Sequence, residues 1–384
     1  MDPVSKELFD FSLEHYRHLH QYPEIGFDLP LTAAYVTDVL KQIGLKPTDA
    51  YGTCSAVCQI GQREDVPTIA FRADMDELPV TEKTDLSFAS TIPGAMHACG
   101  HDSHTAVLLA TAKYLKEHEQ ELACNVRLVF QPSEEGAISG AKMMVDNGVM
   151  DGVECVVATH CENNMQAGKV GLCPGDYMAA CIPMEIQFHG HSAHAALPET
   201  GIDALAMAVE AYGALKAMAK EEAGDRKYIW SVGHLGAGDV HNVIPDLATM
   251  RISFRFYDIP FSLRVMDRTK AICEKIAASY GGTVSIDWRM STGPIYNDPA
   301  ITDQLRIATE GIPVEEMPSR MSSEDFAWFL SKAPGAIYRF GTRNEAKGCT
   351  GLAHNNDFKI DPEGMKTAIR TFIQYALNYN KGGK

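Results

Sequence analysis

The stretch Met96-His97-Ala98-Cys99-Gly100-His101-Asp102-Ser103-His104-Thr105 is the part of this 384-residue chain that most narrows its fold and chemistry. It holds one thiol, three imidazoles and a carboxylate. Cys99 and His101 are two residues apart, just before a predicted helix, so in an extended segment both side chains point to the same side. They can then ligate one metal ion or two adjacent ions. A thiolate favours Zn, whereas carboxylates and imidazoles also accept Mn or Co.

Composition and charge limit the classes of protein to which this chain can belong. The chain has 45% hydrophobic and 22% charged residues, which is typical of a globular protein. Its net charge of -16 argues against a nucleic-acid partner and against an anionic membrane surface. No signal-peptide pattern and no bilayer-spanning apolar stretch is visible in the sequence. We therefore expect a cytoplasmic protein whose ten cysteines are reduced thiols.

Strands alternate with helices over the first half of the chain. Apolar periodicity and β-rich runs predict helices over residues 5–20, 31–43, 103–118 and 141–146, and strands over residues 68–72, 125–130 and 154–159. This alternation indicates an α/β domain with a largely parallel sheet.

Ligand-type residues follow the predicted strands. They are Asp74, Asp76, Glu134, Glu135 and His160. Open α/β sheets form their ligand crevice at the carboxyl ends of the strands. Because three separate strand ends deliver residues of this type, we expect the side chains to converge on one site.

The adjacent carboxylates Glu134 and Glu135 indicate a particular chemistry. Two unpaired anions at a strand end are costly to bury, and a bound cation removes that cost. One carboxylate can then bind metal, while its neighbour takes a proton from a metal-bound water. This pattern predicts a metal-dependent amide hydrolase.

A second region, from about residue 184 to residue 288, has the order strand–helix–strand–strand–helix–strand, which is typical of a ferredoxin-like fold. Helix and strand patterns resume after it and include His354. We therefore predict a catalytic metal-binding domain of residues 1–182 and 293–384. An inserted lid or dimerisation domain of residues 183–292 interrupts it, so His354 must return to the first domain to serve the site.

Two other classes of protein can be set against this interpretation. A cysteine-nucleophile amidase would use Cys99 with His101 or His104, but it leaves Glu134, Glu135, His160 and His354 without a role. A metal-storage or regulatory protein needs neither a general base nor a second domain over a substrate. Any one of these histidines alone is more often a hydrogen-bonded structural residue. Their joint occurrence with the acid pair favours the metallohydrolase.

Seven sequence motifs occur in the order and spacing of a known family. They are FRADMDELP (71–79), MHACGHDSHT (96–105), FQPSEEG (130–136), GHSAHAALP (190–198), HNVIPD (241–246), SSEDF (322–326) and AHN (353–355). Over nearly its whole length the chain resembles the aminoacylase/carboxypeptidase-type metallohydrolases. It is most similar to their amidohydrolase branch, with hippurate hydrolase, N-acetyl-diaminopimelate deacetylase and the auxin-conjugate hydrolases. The resemblance implies a dimetal catalytic domain with an inserted lid or dimerisation domain.

The resemblance also assigns roles to single residues. The implied metal ligands are Cys99, His101, Glu135, His160 and His354. Glu134 becomes the general base. In the lid domain, His194 matches a histidine that contacts the scissile carbonyl, often from the partner subunit, and Asn242 matches a residue near the substrate.

Two acids complete the implied site. Asp76 resembles an acid that orients a metal ligand in related members. Asp74 stands where some relatives carry a metal-binding histidine, and its role stays open. His189, His191 and Ser192 stand where members of this branch often have a glycine-rich turn. This departure lies where the substrate should be held, and it leaves the chemistry intact.

The resemblance and the residues together predict hydrolysis of the amide bond of an N-acyl amino acid, where the acyl group is acetyl, aroyl or similar. Two divalent metal ions, Mn, Zn or Co, would activate the water, and Glu134 would act as the general base. The alternative is a dipeptidase or carboxypeptidase with the same site. A small N-acyl amino acid or dipeptide is the expected substrate, and a homodimer through the inserted domain is the expected assembly.

Overall fold

The computed structural model describes residues 3–379 and divides the chain into two compact units. Unit 1 is formed by Met1–Tyr177, Tyr296–Ser319 and Asp325–Lys384, and unit 2 by Met178–Ile295 and Arg320–Glu324. Across residues 3–379, no helix is long and apolar enough to cross a membrane. All ten cysteines lie in that range, and no disulfide joins any two of them.

The helices of both units are numbered along the chain. They are α1 (Lys6–Gln21), α2 (Pro30–Gln42), α3 (His101–Glu117), α4 (Gly140–Asp146), α5 (Ala204–Ala223), α6 (Ile259–Tyr280), α7 (Pro299–Ala308), α8 (Ala327–Leu330) and α9 (Glu363–Asn378).

The strands are numbered in the same way. They are β1 (Ala56–Ile60), β2 (Thr68–Asp74), β3 (Asn125–Gln131), β4 (Val153–Gln166), β5 (Val170–Leu172), β6 (Gly175–Met178), β7 (Ala180–His189), β8 (Ala193–His194), β9 (Tyr228–Ala237), β10 (Val243–Ile244), β11 (Leu247–Phe256), β12 (Thr283–Trp288), β13 (Ile295–Asn297), β14 (Val314–Glu316) and β15 (Gly335–Arg343).

Unit 1 is built on a seven-stranded sheet in the order β1-β3-β2-β4-β15-β5-β14. The four central strands β3, β2, β4 and β15 run parallel, whereas β1 and β5 run antiparallel to their inner neighbours. The strands are buried along nearly their whole length, as expected for a parallel sheet covered by helices on both faces. The prediction of an α/β protein with a mainly parallel central sheet is confirmed.

The helix α3 lies in the interior of unit 1. Its segment 106–110 is completely buried, and a helix that is apolar on all sides can be stable only inside a protein. The first turn of α3, residues 101–105, consists of polar residues that are equally buried. Buried polar side chains need hydrogen-bond partners or a metal ion. The first turn of α3 therefore marks the candidate site.

Unit 2 contains a four-stranded antiparallel sheet in the order β12-β7-β11-β9. Its main elements follow the chain order β7, α5, β9, β11, α6 and β12. The helices begin at capping aspartates, since Asp203 and Asp258 each accept a hydrogen bond from a backbone N–H of the first turn. The apolar sides of α5 and α6 cover the buried side chains of the sheet and form a separate core.

Two sequence-based expectations about local structure are wrong. The strand expected over residues 154–159 does not end before His160. β4 continues to Gln166, because β15 pairs with it as far as the Arg343–Gln166 pair. His160 therefore projects from within a paired strand, which holds its backbone more rigidly than a loop would.

The segment from Cys99 to His101 is also not extended. Gly100 has φ +85°, in the left-handed region, and α3 begins directly at His101 rather than at residue 103 or 104. A Cβ at position 100 would lie 2.5 Å from Cys161 Sγ, so glycine is required for space as well as for conformation. A turn, rather than the pleat of a strand, brings the thiol of Cys99 and the imidazole of His101 together.

Candidate metal centre

The side chains of Cys99, His101 and His160 form the buried part of the candidate metal centre, which lies entirely in unit 1. Cys99 Sγ lies 3.5 Å from His160 Nε2. The three donor atoms lie within 4.8 Å of one another, a spacing that one ion can bridge. A thiol and two imidazoles are a donor set suited to Zn and related transition metals.

Backbone carbonyls select the tautomer of both histidines. His101 Nδ1–H donates to the carbonyl oxygen of Asp76 at 2.8 Å, and His160 Nδ1–H donates to that of Cys161, also at 2.8 Å. Each Nε2 therefore keeps the lone pair that a metal ligand needs. His101 Nε2 is buried and has no hydrogen-bond partner anywhere in residues 3–379. A metal ion would satisfy this costly buried nitrogen, so the residues present fit the metal that the sequence predicts.

Glu134 and Glu135 lie on a tight loop between β3 and α4. The loop begins at Ser133, which has φ +53°, and it closes where Gly140 N–H donates to the carbonyl of Ser133 at 2.9 Å. A Cβ at Gly140 would lie 1.7 Å from the carbonyl oxygen of Pro132, so a larger residue would open the loop. This close packing holds two consecutive carboxylates beside the buried donors.

The two carboxylates have different neighbours. Glu135 Oε1 lies 3.0 Å from His354 Nε2, and Glu135, His354 and Cys99 form a second set of donors with metal-site spacing. Glu134 Oε2 lies 3.9 Å from His101 Nε2. The two side chains of one loop thus contact different parts of the same site.

His354 reaches this site from the C-terminal part of unit 1. Its backbone has φ +70°, and its N–H donates to the carbonyl of Ala98 at 2.8 Å. The hydrogen bond between Glu135 and His354 raises the pKa of His354. Burial would raise the pKa of Glu135, but this hydrogen bond lowers the pKa of Glu135 below its ordinary value. Both shifts favour the charged forms of the two side chains, which lie 3.0 Å apart.

Burial raises the pKa of the Cys99 thiol well above its ordinary value. A thiol in this environment needs a strong neighbouring cation in order to ionise. A divalent ion between Cys99, His160 and His101 would supply that charge. The neighbouring His101 lowers the pKa of this thiol, but burial outweighs that effect, which disfavours the cysteine-amidase alternative.

Both carboxylate oxygens of Asp74 accept hydrogen bonds from buried side chains. Asp74 Oδ2 accepts from Arg72 Nη1 at 2.8 Å, and Asp74 Oδ1 accepts from His104 Nδ1 at 2.6 Å. Burial would raise the pKa of Asp74, but electrostatic attraction to the neighbouring His101 and Arg72 side chains holds it well below its usual range. Asp74 Oδ2 lies 3.7 Å from His101 Nε2.

The sequence interpretation left a second buried polar cluster without a role. His20 Nδ1 lies 2.7 Å from Asp102 Oδ2, and His20 Nε2 lies 3.2 Å from Glu82 Oε1. Burial alone would lower the pKa of His20, but these two hydrogen bonds raise it to about 10. Asp102 directly follows His101 in the sequence, and this position in the motif could have indicated that Asp102 belongs to a buried polar cluster.

Glu77 is another residue that the sequence interpretation did not use. Its carboxylate is fully buried, accepts the N–H of Cys99 at 3.4 Å and lies 3.4 Å from His97 Nδ1. Burial raises the pKa of Glu77 well above its ordinary value. Its position in the acid cluster after β2 could have identified it.

In unit 2, His194 and Asn242 are brought together by two short strands. β8 pairs with β10 so that His194 lies opposite Val243, and Ala195 N–H donates to the carbonyl of Asn242 at 3.0 Å. His194 Nδ1 accepts the N–H of Ala196 at 3.0 Å. The neutral ring therefore carries its proton on Nε2. Both predicted residues are exposed on this unit.

The α/β unit with its buried cluster of thiol, imidazoles and carboxylates is typical of a metallohydrolase. Comparison with known sequences makes the assignment specific. The sequence pattern of peptidase family M20/M25/M40 matches residues 70–378. The chain belongs to this family and is a metal-dependent amidohydrolase.

Two relatives and one solved structure illustrate the similarity. Thermostable carboxypeptidase 1 of Saccharolobus solfataricus is 33% identical over 380 residues, covering 98% of this chain and 97% of the relative. N-acetyl-L-cysteine deacetylase of Bacillus subtilis is 36% identical over 329 residues, covering 85% and 79% respectively. The crystal structure of the Bacillus subtilis protein YxeP, a dinuclear metal-binding peptidase of the same family, superposes with a TM-score of 0.84. It is 30% identical, covering 97% of this chain and 98% of that one.

Proposed function

We propose that this protein hydrolyses the amide bond of N-acyl amino acids at a site holding two divalent metal ions, Mn, Zn or Co. The observation that carries the proposal is the loop bearing Glu134 and Glu135. It supplies a carboxylate to the donors Cys99 and His354, and it supplies a second carboxylate beside His101. Metal-assisted hydrolysis needs a metal ligand and a general base close together, and this short loop carries a candidate for each.

The proposed ligands are Cys99, His101, Glu135, His160 and His354. Two ions bound there would polarise the scissile carbonyl and lower the pKa of water, which is the chemistry that metal ions supply in hydrolases. The carbonyl oxygens of Asp76 and Cys161 keep His101 and His160 in the tautomer that leaves Nε2 available. Without ions, the buried His101 Nε2 would stay unsatisfied.

Glu134 is the proposed general base. Its side chain is about nine-tenths buried but not closed off, so it can meet both a water molecule and a substrate. It takes a proton from the water as the water oxygen attacks the amide carbon. It then gives that proton to the amine nitrogen as the C–N bond breaks. The products are the free carboxylate of the acyl group and the amino acid.

The segment 183–292, which falls within unit 2, is proposed to act as the lid and dimerisation domain and to interrupt a catalytic domain of residues 1–182 and 293–384. The protonated Nε2 that the Ala196 hydrogen bond leaves on His194 supports a role as donor to the developing oxyanion. Asn242 is proposed to contact the substrate beside it. A two-fold homodimer through this unit is the proposed assembly.

The similarity to N-acetyl-L-cysteine deacetylase supports an N-acyl amino acid as the substrate class. The similarity to thermostable carboxypeptidase 1 supports a second candidate, cleavage of a small peptide at its carboxyl end by the same residues. Both reactions break a linear amide bond with the same base. They differ in whether the acyl side carries a free amino group.

A substrate panel separates these candidates. The metal-free protein, reloaded separately with Mn, Zn and Co, is offered N-acetyl, N-benzoyl and dipeptide substrates that share the same C-terminal amino acid. We expect turnover of N-acyl amino acids, loss of activity with a chelator and recovery with added ions. Preferred cleavage of the dipeptides would favour the peptidase, and no turnover with any ion would contradict the proposal. Inactivation by thiol alkylation of a metal-free, chelator-resistant enzyme would favour the cysteine-nucleophile amidase.

A further inference from the structure

His104 is an imidazole of α3 that the proposed ligand set leaves unused. It lies three residues after His101, so the two rings project from the same face of the helix, and it is fully buried. Its ring nitrogens have metal-site spacing with Asp74 and His101, and also with His160 and Cys161. The spacing alone would make it a further ligand.

Its hydrogen bonds indicate a different use. Nδ1–H donates to Asp74 Oδ1 at 2.6 Å, and Nε2 lies 2.9 Å from the backbone nitrogen of Cys161. A backbone N–H can only donate, so it occupies the lone pair of His104 Nε2. Both nitrogens are therefore committed to the protein, and neither is available to an ion.

The backbone amide of Cys161 needs this acceptor because of the sheet. The pairing of β2 with β4 ends at Arg72 and Ala158, whereas β4 continues beyond that point. The N–H of Val156 donates to the carbonyl of Pro334, on the β15 side of β4. Backbone N–H groups point alternately to the two sides of a strand, so the N–H of Cys161, five residues later, faces the β2 side. There the sheet has opened, and a buried amide without an acceptor would be costly. His104 fills the place of the missing strand.

This hydrogen bond bears directly on the neighbouring residue. Cys161 follows His160, and the ring centroids of His104 and His160 are 4.5 Å apart. The bond to Cys161 therefore fixes the backbone from which His160 projects, and the ring contact limits its orientation. Both effects direct His160 Nε2 towards Cys99 Sγ.

The other end of His104 is anchored just as firmly. Asp74 is bonded to Arg72, whose Nη2 donates to Asp325 Oδ1 at 3.0 Å. Asp325 comes from the SSEDF motif, and all three side chains are buried. An Asp74 carboxylate paired with a guanidinium accepts hydrogen bonds, which selects the His104 tautomer with its proton on Nδ1.

We propose that His104, oriented by Asp74, is a positioning residue that holds the β4 backbone so that His160 can bind metal. The inference rests on the proposed function, because it takes His160 as a ligand. Its expected signature is a loss of metal affinity without a change in the number of ions bound. If His104 were instead a ligand, each substitution would reduce that number.

Three substitutions at one position separate the two hydrogen bonds. His104→Gln places an amide near the Nε2 position and keeps an acceptor for the Cys161 N–H. His104→Asn places its amide near the Nδ1 position and keeps only the bond to Asp74. His104→Phe keeps a ring and loses both bonds. The variants are compared by the affinity of the protein for Zn or Mn in competition with a chelator, and by hydrogen exchange of the Cys161 amide in metal-free protein.

We expect His104→Gln to remain close to the unmodified protein in both measurements. His104→Asn and His104→Phe should bind metal about 10- to 100-fold more weakly, the usual effect of losing a residue that orients a ligand. Their Cys161 amide should exchange faster. In the unmodified metal-free protein that amide should be protected, which tests the hydrogen bond without any variant.

Two controls distinguish the possible failures. Thr111→Val removes a buried hydrogen bond from the same helix, to the carbonyl of Val107, and should change stability but not metal affinity. His160→Ala tests the assumed ligand. If His160→Ala binds metal normally, the proposed function fails. If it loses affinity while His104→Asn and His104→Phe bind normally, or if the Cys161 amide of the unmodified protein exchanges freely, the proposed function stands and the role of His104 is overturned.

Discussion

The backbone N–H of Glu134 donates a hydrogen bond to Asp76 Oδ1 at 2.7 Å, and the next N–H, of Glu135, donates to Oδ2 at 3.1 Å. The backbone carbonyl of Asp76 accepts Nδ1–H of His101. One buried residue therefore orients the proposed base and two of the proposed ligands. Because its own carboxylate binds backbone amides, we expect Asp76 to act through these neighbours rather than on the substrate.

Replacing Asp76 by Asn should weaken this arrangement. An amide presents one acceptor instead of two and turns an N–H towards the loop, so Glu134 and Glu135 lose a fixed position. We expect metal affinity to fall about 10- to 100-fold, with kcat falling as well. Asp65→Asn, at an exposed position, removes the same charge and serves as the control. Unchanged metal affinity in Asp76→Asn, measured by chelator competition, would disprove the positioning role.

Replacing each of the paired carboxylates by its amide should separate their roles. Glu134→Gln should keep both ions and the fold but lose the proton acceptor, so kcat should fall roughly 100-fold or more, the scale of general-base catalysis. Glu135→Gln should instead lose metal affinity. Metal content and kcat of both variants are the measurements. If Glu135→Gln lost turnover with both ions bound while Glu134→Gln kept it, the two assignments would have to be exchanged.

His20 should make the stability of the metal-free protein depend on pH. Its pKa is raised to about 10 in the folded chain, against about 6.5 for an ordinary histidine. Its contribution is then complete below about pH 6.5 and is lost as the pH rises through 10. The difference in denaturant midpoint between the unmodified protein and His20→Phe should shrink over that interval. His118→Phe, at a ring bonded to the carbonyl of Tyr114, is the control. A difference that stays constant with pH would contradict the assignment.

Subunit mixing tests the proposed role of His194 in an assembly. Glu134→Gln and His194→Ala are each expected to be nearly inactive, since an oxyanion donor is worth about 100- to 1,000-fold in kcat. If His194 serves the partner's site, mixed dimers combine one intact metal site with one intact histidine and recover part of the activity. Exchange of subunits is verified with differently tagged chains. No recovery after verified exchange would place His194 in its own chain's site or outside catalysis.

The sequence predicted the α/β class and the clustering of ligand-type residues because both depend on local patterns. Apolar periodicity predicted the buried helix α3. Acidic residues directly after β-rich runs indicated the C-terminal ends of the strands of the sheet. The position of His160 was misjudged, since the length of β4 depends on pairing with β15, which lies far away in the sequence. The turn at Gly100 depends on the close approach of Cys161, which only the folded chain brings about.

The supporting residues were harder to predict than the donors. His104 has the same side chain as His101 and lies in the same motif, yet its Nε2 is occupied by a backbone amide. Nothing in the local sequence distinguishes the two. The difference arises from the point at which β2 and β4 diverge. Asp325 lies 251 residues along the chain from Asp74, and only the fold connects them through Arg72.

The most direct test of the account is to locate the ions. Crystals of the protein loaded with Zn, measured on both sides of the Zn absorption edge, give the positions of bound zinc without reference to activity. We predict two anomalous peaks per chain, contacted by Cys99, His101, Glu135, His160 and His354, with Glu134 beside them and His104 in contact with neither. Absence of peaks at these side chains, or a peak ligated by His104 or Asp74, would contradict it.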